Sequence, residues 1–206
     1  MSQPTVVLAT NNLKKLTELR RMLTETAPEI HVLGLAGVVI YPEPVETELT
    51  FEGNALLKAR ACVAATGLPS LADDSGLAVD VLNGMPGVRS ARWAGAGAGD
   101  AANNELLLRQ IEDVPDHMRG GQFLCAMALV MPSGVEHVRL GEMRGHVVRE
   151  SRGNNGFGYD PLFVPEGHSR STAELSALEK DAISHRGKAV RAILPVLVEA
   201  LRLEAS

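Results

Sequence analysis

The chain has 206 residues, 45% hydrophobic and 22% charged, values typical of globular proteins rather than disordered or fibrous ones. Its formal net charge of -5 excludes a protein that holds long nucleic acid through bulk positive charge, although a local pocket can still be basic and take a small polyanion. No stretch approaches the roughly 18 to 20 apolar residues that a membrane-spanning helix needs, and the N-terminus lacks the basic start of a leader, so the expected setting is cytoplasmic.

Val6 to Ala9 reads as a strand that ends in Thr10-Asn11-Asn12, after which Leu13, Leu16, Leu19 and Leu23 mark one face of a helix. Residues 30–40 read as one or two further strands. Thr50 can cap a second helix, FEGNALLKARACVAAT, that stops at Gly67 before Pro69. Leu71-Ala72 then runs into Asp73-Asp74-Ser75-Gly76, and Leu77 to Leu82 resumes as strand. The glycine-rich loop 83–100 ends at Asp100, the expected cap of AANNELLLRQIED, and residues 122–148 read as a hairpin turning at Pro132-Ser133-Gly134. A second glycine-rich loop covers 152–160. Ser184 is the expected cap of a last helix that Pro195 should kink.

Alternating strands and helices followed by long hairpin strands predict an α/β fold, a mixed sheet covered by helices. The hairpin would project as a second lobe beside a cleft.

Five segments carry chemistry. The turn Thr10-Asn11-Asn12-Leu13-Lys14-Lys15 joins a strand to a helix, where free backbone N–H groups, the helix dipole and a lysine outline a phosphate site. Surface lysines are the alternative there. Asp73-Asp74 places two carboxylates at the end of an apolar strand, where ionised groups need a metal or water. One should face the cleft while the other anchors the loop through backbone hydrogen bonds, and a plain turn is the alternative. Glu46 and Glu48 precede a helix bearing Asn54 and Lys58, and Glu46 with Asp74 would suffice for Mg²⁺, which takes few carboxylates and keeps waters. Finally, Phe157 and Tyr159 flank Gly158 in a loop where an exposed ring can stack on a base, and His185-Arg186 opens the last helix with two donors. Cys62 and Cys125 sit in apolar contexts without a CxxC pair and read as buried thiols.

Together LATNNLKKLTEL, LTFEGNALLKA, LADDSGLAVDVLNGMPGVRSARWAG, GFGYDPLFVP and AISHRGKA, in this order, resemble the Ham1/RdgB family of inosine triphosphate pyrophosphatases over nearly the full chain. The resemblance implies one domain over 1–206 with the ITPase-like fold, a long mixed β-sheet flanked by helices in two lobes with a central cleft. It also implies a homodimer and Mg²⁺-dependent hydrolysis of ITP, dITP or XTP to monophosphate and pyrophosphate. By motif, Thr10, Asn11, Asn12, Leu13, Lys14, Lys15 and Lys58 would bind the triphosphate. Asp74 would be proton acceptor and metal ligand, Glu46 a second metal ligand, and Ser75 a substrate contact. Phe157, Gly158, Tyr159, Asp160, Lys180, His185 and Arg186 would meet the base and the rest of the substrate. Asn11 and Lys14 stand where relatives often have Gly. Gly53 stands where they commonly have Glu, a lost carboxylate for which Glu46, Glu52 or water must compensate. A Maf-like pyrophosphatase of pyrimidine or modified nucleotides is the alternative enzyme, and a nucleotide binder without turnover the alternative outside catalysis.

Overall fold

The computed structural model describes residues 3–39 and 41–204. Among these residues six strands form one mixed sheet in the order β2 (His31–Gly34), β1 (Thr5–Leu8), β3 (Ser70–Val79), β4 (Gly120–Val130), β5 (Glu136–Val147), β6 (Phe163–Pro165). The chain divides into two compact units, the first comprising Met1–Asp74, Cys125–Gly141 and Arg186–Ser206, the second Ser75–Leu124 and Glu142–His185. Each is built around its own apolar cluster.

In the first unit, β1 (Thr5–Leu8) lies parallel to β2 (His31–Gly34) on one side and to β3 (Ser70–Val79) on the other. Leu8 pairs with Leu71, so Thr10 and Asp73 each follow that pair by two residues, Thr10 just past the carboxyl end of β1 and Asp73 within β3. The carboxyl end of a parallel strand is where open α/β sheets bind ligands. Helix α1 (Leu13–Thr26) follows β1, α2 (Phe51–Thr66) precedes β3, and α5 (His185–Glu204) enters this unit at Arg186. Side chains alternate across a strand, so Val6, Leu8 and Leu71 share one sheet face with Cys125, Met127 and Leu129 of β4 (Gly120–Val130). Against that face pack Leu19 and Leu23 of α1 and the stripe Ala189, Val190, Ile193, Leu197 of α5. Each fully buried Leu contributes about 1.5–3 kcal/mol.

The two ends of α2 follow from single residues. Thr50 Oγ1 accepts from Gly53 N–H at 3.1 Å, and Gly67, at φ 67, donates its N–H to Val63 O in a left-handed conformation that only glycine adopts cheaply. The hairpin turn is as expected: Gly134 N–H donates to Met131 O (2.9 Å) between β4 and β5 (Glu136–Val147).

The second unit contains α3 (Gly99–Gln110), β6 (Phe163–Pro165) and α4 (Ala177–Ile183), with β6 antiparallel to β5. Its core joins Leu77, Val79, Leu107, Ile111, Phe123 and Phe163, the two Phe rings meeting edge to face at 4.8 Å.

Several local expectations change. Residues 70–79 are one uninterrupted strand, so Asp73-Asp74 is not a turn, and a single 3-10 turn occupies Asp80–Leu82. Only His31–Gly34 of the 30–40 stretch is strand, with Ile40 outside the described residues. Asp100 lies inside the first turn of α3 rather than capping it, because its carboxylate accepts Gly158 N–H at 2.9 Å. Ser184 has the additional role of closing α4 through its N–H on Lys180 O; it directly precedes α5, where the sequence places it, and Pro195 lies inside that helix.

Candidate active site

The residues of the first unit assemble around the end of β1 and the middle of β3. Asn12 caps α1: its Oδ1 accepts the N–H groups of Lys14 (3.0 Å) and Lys15 (3.2 Å), while Thr10 Oγ1 accepts that of Asn12 (3.2 Å). The expectation of free N–H groups in this turn is therefore corrected at these three positions. Asn11 Nδ2 donates to Glu43 Oε2 at 2.7 Å, and Leu13 and Lys14 are exposed.

Adjacent strand residues point to opposite faces, and this splits Asp73 from Asp74. Asp73 is buried towards α1 and α5. Its Oδ2 takes Lys15 Nζ at 3.0 Å and the Arg186 guanidinium at 3.3 and 3.4 Å, and Arg186 also donates to Glu18 Oε2 at 2.6 Å. Burial alone would raise the Asp73 carboxyl, but Lys15, Arg186 and Lys58 outweigh it and hold the group far below the usual carboxylate range. The sequence predicts that one aspartate anchors a loop through backbone hydrogen bonds; the structure shows Asp73 holding the side-chain cations of Lys15 and Arg186 within a strand. The Arg186 guanidinium is buried on two carboxylates, Asp73 and Glu18.

Asp74 points towards α2. Its Oδ1 accepts Lys58 Nζ at 3.2 Å and its Oδ2 accepts Asn54 Nδ2 at 3.1 Å. Asn54 and Lys58 stand four residues apart on one helix face and so hold the two oxygens of one carboxylate. Lys58 Nζ also donates to Glu46 Oε1 at 3.1 Å. Burial pushes the Asp74 carboxyl above its ordinary value, with Lys58 and Lys15 opposing and Glu46 and Asp73 adding to the rise. On Lys58, burial by itself would lower the ammonium, but Asp74, Asp73 and Glu46 outweigh it and keep the charge. A carboxylate poised upward beside a fixed cation suits a general base.

Glu46 and Asp74 fit a divalent cation. Their carboxylates already converge on one positive centre, Lys58 Nζ, and both offer hard oxygen donors. Among the described residues no cluster of three or more Asp, Glu, His or Cys side chains could hold a metal ion.

Ser75, the next residue of β3, is half-buried at the start of the second unit. In the loop of that unit, Asp160 is buried: its Oδ2 accepts Phe157 N–H (2.8 Å) and Lys180 Nζ (2.6 Å), and its Oδ1 accepts the Thr172 hydroxyl (2.9 Å). Lys180 Nζ also lies 5.0 Å from the Phe157 ring centroid. The Gly158 peptide is held at both ends, by Asp100 and by Asn104 Nδ2, which donates to Gly158 O at 3.0 Å. Phe157 is half-buried, but Tyr159 is buried and its hydroxyl donates to Ser90 O at 2.9 Å, so the expected exposed face is confined to Phe157. His185 is buried too, stacked on Phe123 with ring centroids 4.8 Å apart.

Sequence reasoning did not assign Asn54, Asp73, Glu18 or Thr172. Two spacings carried a signal: Lys15 and Glu18 share a face of α1, as Asn54 and Lys58 share one of α2.

The Ham1 family model matches residues 6–196. A dITP/XTP pyrophosphatase of Corynebacterium efficiens is 56% identical over 201 residues, covering 94% of this chain and 97% of its own. The crystal structure of the nucleoside-triphosphatase / dITP/XTP pyrophosphatase of Mycobacterium abscessus is 52% identical, with TM-score 0.75 over 93% of this chain and 99% of its own. The Staphylococcus aureus Ham1 protein is 36% identical with TM-score 0.84, over 95% and 99% of the two chains. With a mixed sheet of the same architecture and the family pattern running from β1 into α5, the chain belongs to the Ham1 family.

Proposed function

We propose that this chain hydrolyses the non-standard purine nucleoside triphosphates dITP, XTP and ITP to the monophosphate and pyrophosphate, clearing deaminated purines from the nucleotide pool. The observation that carries the reading is Asp74, a buried carboxylate within strand β3 whose two oxygens are fixed by Lys58 and Asn54. The names of relatives aligned over nearly their whole length support it. The Maf-like alternative gains nothing from those relatives.

In the proposed reaction, Asp74 orients a water and takes its proton as the water oxygen attacks the α-phosphorus. The bond from that phosphorus to the bridging oxygen breaks, and pyrophosphate leaves with the electron pair. Lys58 and Lys14 stabilise the charge that moves towards the β-phosphate, and Lys15 contributes its charge from its place on Asp73. Glu46 and Asp74 would hold Mg²⁺, which when bound offsets triphosphate charge and improves the leaving group. Phe157 offers the base a half-buried ring, kept in place by the Asp160–Lys180 pair.

Purine choice follows from polarity at C6. Hypoxanthine and xanthine present an oxygen acceptor there, whereas adenine presents an amino donor, and a mismatch between buried polar groups can cost about 10²- to 10⁵-fold. His185, Arg186 and loop backbone N–H groups are the donors assigned to that oxygen. A homodimer and a cytoplasmic setting, where the nucleotide pool lies, belong to the same reading. Among the described residues no helix is long and apolar enough to cross a membrane.

A panel of nucleotides at saturating Mg²⁺ tests the choice. The kcat/KM for dITP and XTP should exceed those for dATP, dGTP and dTTP by at least about 10²-fold. Equal values contradict the reading, and a preference for dTTP favours the pyrimidine alternative.

A further inference from the structure

We propose that Asn54 is a positioning residue that locks Asp74 and the 42–49 loop bearing Glu46 into one geometry, an inference that rests on the hydrolytic reading above. Asn54 is completely buried. It belongs to α2, yet its side chain serves two other segments. Oδ1 accepts Glu48 N–H at 3.1 Å, while Nδ2 donates to Glu48 O at 3.3 Å and to Asp74 Oδ2 at 3.1 Å. The amide thus pairs with both backbone groups of residue 48, as a neighbouring strand would, and uses its second N–H on the carboxylate.

Only an amide of this length provides one acceptor and two donors at that spot. Aspartate lacks the donors, serine has a single one, and glutamine is a methylene too long. Because each Asp74 oxygen then has its own donor from a rigid helix, the carboxylate plane is fixed. Glu46, two residues before the clamped backbone, is carried to the same Lys58 nitrogen.

Gly53 fits the same arrangement. A Cβ there would lie 2.7 and 2.8 Å from Glu48 Cβ and Cγ, so the loop rests directly on the first turn of α2. The absent side chain at 53 gives the loop its seat, and Asn54 fastens it there.

The test uses Asn54→Asp and Asn54→Ala in the full chain. It reads kcat and KM for dITP with Mg²⁺, normalised to folded protein, together with hydrogen exchange of the Glu48 amide. Both variants should lose about 10- to 100-fold in kcat with KM changed by less than about threefold. Asn54→Ala should speed Glu48 exchange, while Asn54→Asp, which keeps an acceptor for that N–H, should leave it slow. A purely structural role would lower thermal stability and leave kcat per folded molecule unchanged. The proposal is overturned if either variant keeps kcat within about twofold of the parent, if the loss lies wholly in KM, or if Asn54→Ala leaves Glu48 exchange as in the parent. Should the parent release no pyrophosphate from dITP, the hydrolytic reading fails by itself. The clamp is then decided by exchange alone: faster in Asn54→Ala supports it, unchanged overturns it.

Discussion

Lys58 Nζ stands 3.2 Å from Asp74 Oδ1, and the same nitrogen meets Glu46 at 3.1 Å, so one buried cation gathers the two carboxylates assigned to the metal. Lys58→Met keeps the length of the side chain and removes the charge. Losing one fixed cation at a site of developing charge should lower kcat for dITP by about 10²- to 10³-fold. Steady-state kinetics check this, and unchanged kcat would remove Lys58 from the site.

Asp74→Asn separates chemistry from stability. General-base catalysis contributes about 10²- to 10⁴-fold, and turnover should fall by at least that factor. Burial already disfavours the charged form of Asp74, so a neutral isostere costs the fold little. The expected result is a near-parental melting curve with almost no turnover, and near-normal kcat at saturating Mg²⁺ would exclude the role.

Asp73 behaves in the opposite way. Its carboxylate is buried between Lys15 and Arg186, and breaking such a network by removing one member costs about 3–5 kcal/mol. Asp73→Asn should therefore lower Tm by on the order of 10 °C at neutral pH. The sign with pH follows from its lowered pKa. The stability it supplies is complete above the unfolded-state value near 3.8 and is lost only as pH falls through the much lower native value. Melting curves from neutral to strongly acidic pH should show a steeper acid loss in the parent than in the variant.

Gly53→Glu adds a carboxylate where the family resemblance leads one to expect it, and it should do harm here. Replacing a helical glycine gains about 1 kcal/mol of propensity, whereas forcing atoms into an occupied space costs about 1–3 kcal/mol. The atoms in the way are Glu48 Cβ and Cγ, close to a backbone that Asn54 holds at both ends, so the loop itself would have to move. Lower Tm and weaker Mg²⁺ binding by calorimetry are expected, and tighter Mg²⁺ binding would contradict this account of the loop.

The elements with local signals were legible in the sequence. Thr50 and Gly67 bound α2 because a side-chain oxygen and a left-handed residue suffice to start and stop a helix. The Pro132-Ser133-Gly134 turn and the β1–α1 turn are of the same kind. What stayed hidden depends on contacts distant in the chain. Asp73-Asp74 read as turn or strand alike until Lys15, Lys58 and Arg186 supplied the charges that let both carboxylates sit inside a sheet. Asp100 looks like a cap, but Gly158 offers its N–H across 58 positions of sequence. Tyr159 and His185 looked exposed because each has a polar tip, yet Ser90 O takes one hydroxyl and Phe123 covers the other ring. Lys15, Lys58 and Arg186 stood out by residue type and position, whereas their pairing with Asp73 and Asp74 joins segments far apart in the chain.

Product identity tests the central claim most directly. With dITP, Mg²⁺ and the full chain, phosphorus NMR should show dIMP and pyrophosphate appearing in equal amounts, with no orthophosphate. Release of orthophosphate with dIDP, or no turnover at all, would contradict attack at the α-phosphorus and with it the assignment of Asp74.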